Sequence, residues 1–354
     1  MRPRFALYAV LALLLGACEQ STPPEAAEPI EAAEDSKEAV VNVYSSRHYD
    51  TDLALYDNFT AQTGIEVRLI EAGADELIER IQSEGEFSAA DLLITADAGR
   101  LWRAEQAGIF EPVASEVLEA RLPDYLRHPD GLWFGLSTRA RVVIFNQAAG
   151  KPEPLSTYAD LANPAHAGKV CIRSSSNIYN LSLLASMISR QGVAKAEDWA
   201  RGVVANFARP PQGNDTAQIR AVASGECGIG VVNTYYLARL AASEDPQDRA
   251  LADAVGVIFP DQQGEGTHIN VSGAGLVVNA PNPKNALIFL EYLSTEQAQA
   301  YFANGNQEYP AVLGVAVSPA LMGLGEFKPD TLNAAELGQN QAEAVKAYDR
   351  AGWQ

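Results

Sequence analysis

Hydrophobic and polar positions alternate along the chain in blocks that predict strands followed by helices. The first block has apolar runs of strand length at Val40–Ser45, 65–70 and 91–95. Apolar residues at helical spacing predict helices over 75–84 and 100–106. Strands that alternate with helices at this spacing predict an α/β fold, with a parallel sheet covered on both faces.

The first helix of this block carries its own start and stop signals. The side chains of Asp50-Thr51-Asp52 suit a helix cap, and Leu53, Tyr56 and Phe59 follow at helical spacing. Gly64 is expected to end the helix, because glycine accepts the left-handed conformation that helix ends favour.

The same alternation restarts after residue 140 and runs through two more blocks. The expected strands cover 141–145, 169–174, 227–232 and 268–278. The expected helices cover 181–188 (opened by Asn177), 216–224 (stopped by Gly225), 236–242, 285–294 and 296–303, with one more near the C-terminus. The sequence therefore predicts two sheet-bearing lobes joined by crossing strands.

The N-terminus predicts the compartment. Arg2 and Arg4 precede an apolar run that ends in Leu15-Gly16-Ala17-Cys18, and this run is too short for a membrane span but typical of a secretory signal. A leucine three positions before a cysteine resembles a bacterial lipoprotein signal, with residues 1–17 as signal peptide and Cys18 as the lipidated first residue. An ordinary signal peptide with an incidental cysteine is the alternative. Both place the mature chain outside the cytoplasm.

Residues 18–39 separate this signal from the first strand. They are rich in Glu, Ala, Pro and Ser, and Lys37 is their only basic residue. Such a segment cannot bury enough apolar surface to order itself, so it predicts a flexible, self-repelling tether. The folded body then begins at about Val40.

Net charge argues against nucleic acid as a partner. The formal charge is -19 at pH 7, and no cluster of Lys and Arg supplies the basic footprint that phosphates require. An acidic surface attracts cations, although acidity also serves solubility. Two cysteines remain beside Cys18; in an oxidising compartment Cys171 and Cys227 could form a disulfide, and two buried free thiols are the alternative.

Tyrosines recur where a predicted strand gives way to a predicted helix. The three segments are Arg47-His48-Tyr49, Asn177-Ile178-Tyr179-Asn180 and Asn233-Thr234-Tyr235-Tyr236. Open α/β sheets keep their ligands at such strand ends. Phenol oxygens with one imidazole suit a hard, highly charged ion better than zinc or copper(I), so ferric iron is the candidate. The alternative is that these are ordinary half-buried packing tyrosines, of which a chain with 13 tyrosines has several.

These segments also carry a family resemblance, over about residues 41–316. The segments just quoted, together with Ser45-Ser46, Ala74-Asp75-Glu76-Leu77, Ser174-Ser175-Ser176 and Pro211-Gln212-Gly213-Asn214-Asp215-Thr216, resemble periplasmic iron(III)-binding proteins of bacterial ABC importers. The resemblance is to the transferrin-like class, whose iron ligands are one His and four Tyr.

The resemblance implies a ligand set and a fold. It matches His48, Tyr49, Tyr179, Tyr235 and Tyr236 to iron ligands. It implies a two-lobed type II periplasmic binding protein with a hinge, and we expect lobe 1 to comprise 40–137 and 269–315 and lobe 2 to comprise 138–268 and 316–354. It further implies a monomer in the periplasm that delivers iron to an ABC permease and its ATPase. The lipoprotein-like signal described above would anchor this monomer to a membrane through Cys18. A synergistic anion, such as carbonate, and Fe²⁺ as an additional ligand remain open.

Charge balance predicts cationic neighbours for such a site. Four phenolates would overcompensate a triply charged ion, so nearby arginines are expected to steady it. Arg239 lies one helical turn after Tyr236, Arg139 lies near the predicted hinge, and Arg47 adjoins the first ligand pair. The alternative for each is a solvated side chain or a salt bridge between lobes.

Two other functions use similar residues. A tyrosinate-iron enzyme would need an open coordination position and further catalytic groups, whereas the chain has only 4 histidines and no Gly-Xaa-Ser-Xaa-Gly elbow. A solute-binding protein for an organic ligand or oxyanion would need a polar clamp distinct from the tyrosines, and none is evident. The sequence therefore predicts a non-enzymatic carrier of ferric iron.

Overall fold

A computed structural model of the chain describes residues 39–47 and 49–354. The predicted signal peptide over 1–17, Cys18, nearly all of the predicted tether over 18–39, and His48 lie outside the described residues. Among the described residues, no helix combines the length and apolar character that crossing a bilayer requires.

The strands of the described residues join into one sheet. They are β1 Val40–Ser45, β2 Glu66–Glu71, β3 Leu92–Ala96, β4 Phe110–Glu111, β5 Phe134–Asn146, β6 Val170–Cys171, β7 Ile229–Asn233, β8 Val255–Ile258, β9 Ile269–Val277 and β10 Tyr309–Pro310. The main path through the sheet is β2-β1-β3-β9-β5-β7-β6, with β4 on β9 and both β8 and β10 on β5.

Helices cover this sheet. They are α1 Asp50–Thr63, α2 Ala74–Glu84, α3 Ala98–Gln106, α4 Glu116–Arg121, α5 Ile178–Gln191, α6 Val193–Ala205, α7 Asp215–Ala223, α8 Thr234–Ala242, α9 Pro246–Asp253, α10 Pro283–Leu293, α11 Glu296–Asn306, α12 Pro319–Gly323, α13 Ala335–Gln339 and α14 Gln341–Ala351. Helices α4, α6, α9 and α12 were not among the elements predicted from the sequence, and the structure has two helices, α13 and α14, near the C-terminus where the sequence predicted one.

The prediction of a parallel sheet is correct for only part of it. Strand β1 runs parallel to β2 and β3, and β6 runs parallel to β7. Strands β5 and β9 run antiparallel to each other and to their outer neighbours β7 and β3. These two long strands lie between the first half of the molecule, which contains β1, β2 and β3, and the second half, which contains β6 and β7. Strand and helix alternation does not reveal such a direction, because the partner of a crossing strand lies far away in sequence.

Strand β5 belongs to both halves of the sheet. Its residues Phe134–Ala140 pair with β9, and Arg141–Phe145 pair with β7. The predicted lobe boundary at 137/138 falls within β5, and the predicted boundary at 268/269 falls at the start of β9. The lobe ranges themselves remain a prediction.

Two hydrophobic cores lie within the described residues. The larger core extends along the sheet through both halves and includes Phe59 on α1, Phe289 on α10 and Leu237 on α8. The second core lies among α5, α6 and α14 and includes Trp199 and Trp353. Burying large apolar and aromatic side chains of this kind stabilises the fold.

A buried carboxylate links the end of β3 to the second half of the chain. Asp97 follows β3 with a φ of 89°, and its side chain accepts hydrogen bonds from Ser182 Oγ on α5 (2.7 Å), Asn270 Nδ2 on β9 (2.8 Å) and Gly99 N on α3 (2.9 Å). Burial raises the pKa of Asp97. One side chain therefore joins α3, α5 and β9.

Helix α13 also packs against both halves. Glu336 accepts a hydrogen bond from Ser189 on α5. On the other side, Gly338 lies so close to α3 that a Cβ added to it would stand 2.1 Å from Trp102 Cβ. The C-terminal segment thus contacts α3 of the first half as well as α5 of the second.

Candidate metal centre

The four predicted tyrosine ligands lie at the start of helices. Tyr49 directly precedes α1, Tyr179 is the second residue of α5, and Tyr235 and Tyr236 are the second and third residues of α8. Asn177 caps α5 by accepting a hydrogen bond from Tyr179 N at 3.2 Å, as predicted. Helix N-termini favour negative charge, so phenolates are favoured at these positions.

The phenols of the second half lie against one another. Tyr179 Oη is 3.1 Å from Tyr235 Oη. The rings of Tyr235 and Tyr236 stack with centroids 4.3 Å apart. Tyr235 and Tyr236 of α8 thus lie together with Tyr179 of α5 in one small region.

Arg239 connects these phenols to Tyr49 of the first half. Its guanidinium carbon lies 4.5 Å from the ring centroid of Tyr49 and 4.9 Å from that of Tyr235. Its Nε also donates to Asn306 O on α11 at 3.2 Å. The structure therefore brings tyrosines from both sides of the crossing strands to one place.

Burial favours the protonated form of three of these tyrosines, Tyr49, Tyr235 and Tyr236. It raises the pKa of Tyr236 to about 12 and also raises the pKa of Tyr235, where Tyr179 and Tyr236 add to the effect. Burial and the Glu308 carboxylate raise the pKa of Tyr49, against the lowering effect of Arg47 and Arg239. A highly charged cation would reverse this preference, because it favours phenolates.

Arg47 is not a solvated side chain. It is buried, its Nε lies 2.9 Å from Asp52 Oδ2, and its Nη1 lies 3.0 Å from Glu308 Oε2. The same guanidinium stands 4.9 Å from the ring centroid of Tyr49. Asp52 is thus engaged by Arg47, and the expected capping role of the Asp50-Thr51-Asp52 group is wrong, since Tyr49 is the cap residue and no side chain caps α1.

Arg139 is buried beside the phenols. Its Nη1 donates to Ser272 Oγ at 3.0 Å, and its Nε has no hydrogen-bond partner among the described residues. Burial lowers its pKa, but Glu308, Tyr179 and Tyr235 together outweigh burial and raise it. Its charge therefore acts on the tyrosine cluster.

Two further arginines over Tyr179 were missed by the sequence reasoning. Arg173 and Arg141 stand 5.3 Å and 5.8 Å from the Tyr179 ring centroid, and both form ion pairs with the buried Asp215. Asp215 lies in a segment singled out for its family resemblance, whereas Arg141 carries no local signal.

The electrostatic balance of the region is cationic. Among the described residues named above, five guanidinium groups face four carboxylates. The guanidinium groups are those of Arg47, Arg139, Arg141, Arg173 and Arg239. The carboxylates are those of Asp52, Asp97, Asp215 and Glu308. A cluster of this composition can compensate an excess of phenolate charge around a trivalent ion.

The carboxylates of this region are engaged by arginines or by hydrogen bonds, which leaves the phenol oxygens as its candidate metal donors. Within residues 39–47 and 49–354, no group of three or more His, Cys, Asp and Glu side chains is placed to hold a metal ion. Hard oxygen donors suit hard cations of high charge.

A disulfide joins the two chain segments that lead into the Tyr179 segment and the Tyr235-Tyr236 segment. Cys171 at the end of β6 and Cys227 just before β7 are bonded, with a Cα–Cα distance of 5.9 Å. Residue 171 leads into the segment that carries Tyr179, and residue 227 leads into the strand that ends before Tyr235.

Comparison with known proteins places this geometry in context. Residues 54–328 match the family model described as Bacterial extracellular solute-binding protein. The chain is 54% identical over 340 residues to Iron uptake protein A1 of Synechocystis sp., covering 96% of this chain and 93% of that protein.

Solved structures resemble the fold closely. A Trichodesmium protein in complex with iron and citrate ligands has a TM-score of 0.87 at 56% sequence identity, covering 89% of this chain and 100% of that one. The ferric binding protein from Campylobacter jejuni has a TM-score of 0.83 at 37% identity, with coverage of 89% and 100%.

Proposed function

The chain belongs to the bacterial extracellular solute-binding protein family, and from this premise we propose that it captures ferric iron between its two lobes. The observation that carries the proposal is the convergence of Tyr49 with Tyr179, Tyr235 and Tyr236 from opposite sides of the crossing strands. The predicted fold, a two-lobed α/β periplasmic binding protein, is confirmed by its likeness to the Trichodesmium and Campylobacter structures. Relatives named for iron uptake and ferric binding support the choice of metal.

The proposed ligands are His48, Tyr49, Tyr179, Tyr235 and Tyr236. Ferric iron would be the largest local charge, and it would favour the phenolate form of the tyrosines. Arg139 and Arg239 would offset the excess phenolate charge directly. Arg47 would do so through its contact with the Tyr49 ring.

The proposed place of action is the periplasm. The extracellular solute-binding family supports that location, and delivery of the ion to an ABC permease and its ATPase follows from it as a proposal. Lipid attachment at Cys18 would hold the protein at a membrane while the tether over 18–39 lets the folded body move. Replacing Cys18 with Ser should abolish lipid labelling and leave iron affinity unchanged.

Titration with Fe³⁺ under visible absorption tests the ligand set. The wild type should develop a phenolate-to-iron charge-transfer band, and Tyr235→Phe should weaken or shift it, because Phe keeps the ring and removes only the oxygen. The matched control is Tyr125→Phe, since the Tyr125 hydroxyl makes no hydrogen bond to another described residue and lies outside the cluster. A colourless, fully iron-loaded wild type would contradict the proposal, as would equal effects of the two variants.

Small-angle scattering tests capture between lobes. Fe³⁺ should reduce the radius of gyration, because the ion stabilises the closed form over the open form. Tyr49→Phe should diminish this compaction, since Tyr49 is the proposed ligand of the first half that lies within the described residues. Repeating the titration with and without citrate or carbonate tests whether an anion shares the ion. Unchanged scattering with metal-dependent turnover of a substrate would indicate an enzyme instead.

A further inference from the structure

A buried ion pair stands behind the tyrosines of the second half. Arg141 is 1% exposed and lies where β5 changes its partner from β9 to β7. Asp215 is fully buried at the first residue of α7, and its Oδ2 is 3.0 Å from Arg141 Nη1. Three separate chain segments meet at this pair.

The first arm of the pair reaches the Tyr235 segment. Arg141 Nη1 donates to Asn233 Oδ1 at 3.0 Å, and Asn233 N donates to Asp215 Oδ2 at 2.7 Å. Asn233 is held through both its backbone and its side chain, two residues before Tyr235. The end of β7 therefore has little freedom to shift.

The second arm reaches the Tyr179 segment. Arg141 Nη2 donates to Asn180 Oδ1 at 2.7 Å, and Asn180 Nδ2 donates to Arg173 O at 2.8 Å. Arg173 Nη1 returns to Asp215 Oδ1 at 3.3 Å. The residue directly after Tyr179 is thus fixed by a closed ring of hydrogen bonds.

A purely stabilising role does not account for this arrangement well. Removing two charges from water is unfavourable, so a buried ion pair is weak support for stability compared with apolar packing. What the pair does supply is position, because rigid support of this kind holds binding groups at fixed separations. The phenol oxygens of Tyr179 and Tyr235, in the two segments that the pair joins, are 3.1 Å apart, and ligands at about 2 Å in octahedral geometry lie about 3 Å from each other.

We propose that Arg141 and Asp215 are positioning residues that hold the oxygens of Tyr179 and Tyr235 at the separation of two ligands of one ion. The separation is set before the ion arrives, by contacts within the second half of the molecule. The inference deepens the proposed function and rests on it for the identity of the ion.

The test uses Asp215→Asn and the milder Asn233→Ala, with Asp91→Asn as matched control. Asp91 is also fully buried and also accepts hydrogen bonds from backbone N–H groups, those of Asn42 and Asn282, but it lies outside the tyrosine cluster. Iron affinity is measured by competition with a chelator, together with the charge-transfer spectrum. Hydrogen exchange of segments 173–180 and 233–236 is measured in the metal-free protein.

Both positioning variants should lower iron affinity at least tenfold, shift the charge-transfer band and speed exchange in the two segments. Asp91→Asn should lower global stability while leaving all three readouts as in the wild type. If Asp215→Asn does not fold, Asn233→Ala decides. Folded variants with wild-type affinity, band and exchange would overturn the inference. A wild type that binds no Fe³⁺ would overturn the proposed function, and the exchange measurement would still test the positioning role.

Discussion

The disulfide between Cys171 and Cys227 offers a direct measurement of how the second half is stabilised. The bond closes a loop with a sequence separation of 56. Loop-closure entropy for a loop of this length predicts that the bond stabilises the fold by about 4 kcal/mol, through restriction of the unfolded chain. Both cysteines are 1% exposed, so replacing them with Ala avoids burying a new hydroxyl group.

Urea unfolding followed by tryptophan fluorescence checks this value. The double variant Cys171→Ala with Cys227→Ala, and the wild type under reducing conditions, should each lose about 4 kcal/mol of unfolding free energy. The double variant itself should not respond to the reductant, which serves as the control. A wild type whose unfolding midpoint is unchanged by reductant and by the double substitution would refute the reasoning.

Three further changes probe the closed form, the packing of α13 and the protonation of the site. Ser182→Ala should weaken iron binding by about tenfold to a hundredfold, because it removes the hydrogen bond from α5 to the Asp97 carboxylate, and such a bond contributes about 1.5–3 kcal/mol. Ser186→Ala on the same helix loses only a bond to Leu183 O and should leave the affinity unchanged; competition with a chelator compares the two variants. Gly338→Ala should lower unfolding free energy by about 1–3 kcal/mol through overpacking, while Gly323→Ala, with nothing within 4 Å of the added Cβ, should not. Since burial raises the pKa of Tyr236 to about 12, each phenolate formed releases a proton, so iron affinity should fall by about tenfold per proton for each unit drop in pH. A pH-independent affinity would contradict that assignment.

Local sequence patterns predicted most of the elements that carry the site. Helix α2 was expected over 75–84 and covers Ala74–Glu84. Gly64 ends α1 with a φ of 74°, as expected. The tyrosines were found because strand-to-helix junctions are visible in a linear pattern, and the ligands of α/β sheets collect there.

The predicted strand over 169–174 was wrong for most of its length. Only Val170–Cys171 pairs in the sheet. Beyond it, the carbonyl groups of Arg173 and Ser174 accept hydrogen bonds from Asn180 Nδ2, so the backbone is paired with a side chain rather than with another strand. Apolar and polar spacing does not reveal such competition.

The charged surroundings of the tyrosines were the least predictable part. Glu308 reaches Arg47 only because β10 pairs with β5 far from it in sequence. Arg141 looks like any residue of a strand until its partners on β7 and α7 are known. Long-range partners of this kind depend on topology, which periodicity does not determine.

The central place of β9 in the sheet has a consequence for how the chain acquires its shape. This strand lies between β3 and β5, yet it is made only after residue 268 has been synthesised. The first half of the sheet therefore lacks its middle strand during most of synthesis, and pairings of such long range form slowly. Until β9 has paired with β3 and β5, we expect the residues around Tyr49 and those around Tyr235 to remain apart. Metal capture would then be deferred until the whole polypeptide is complete.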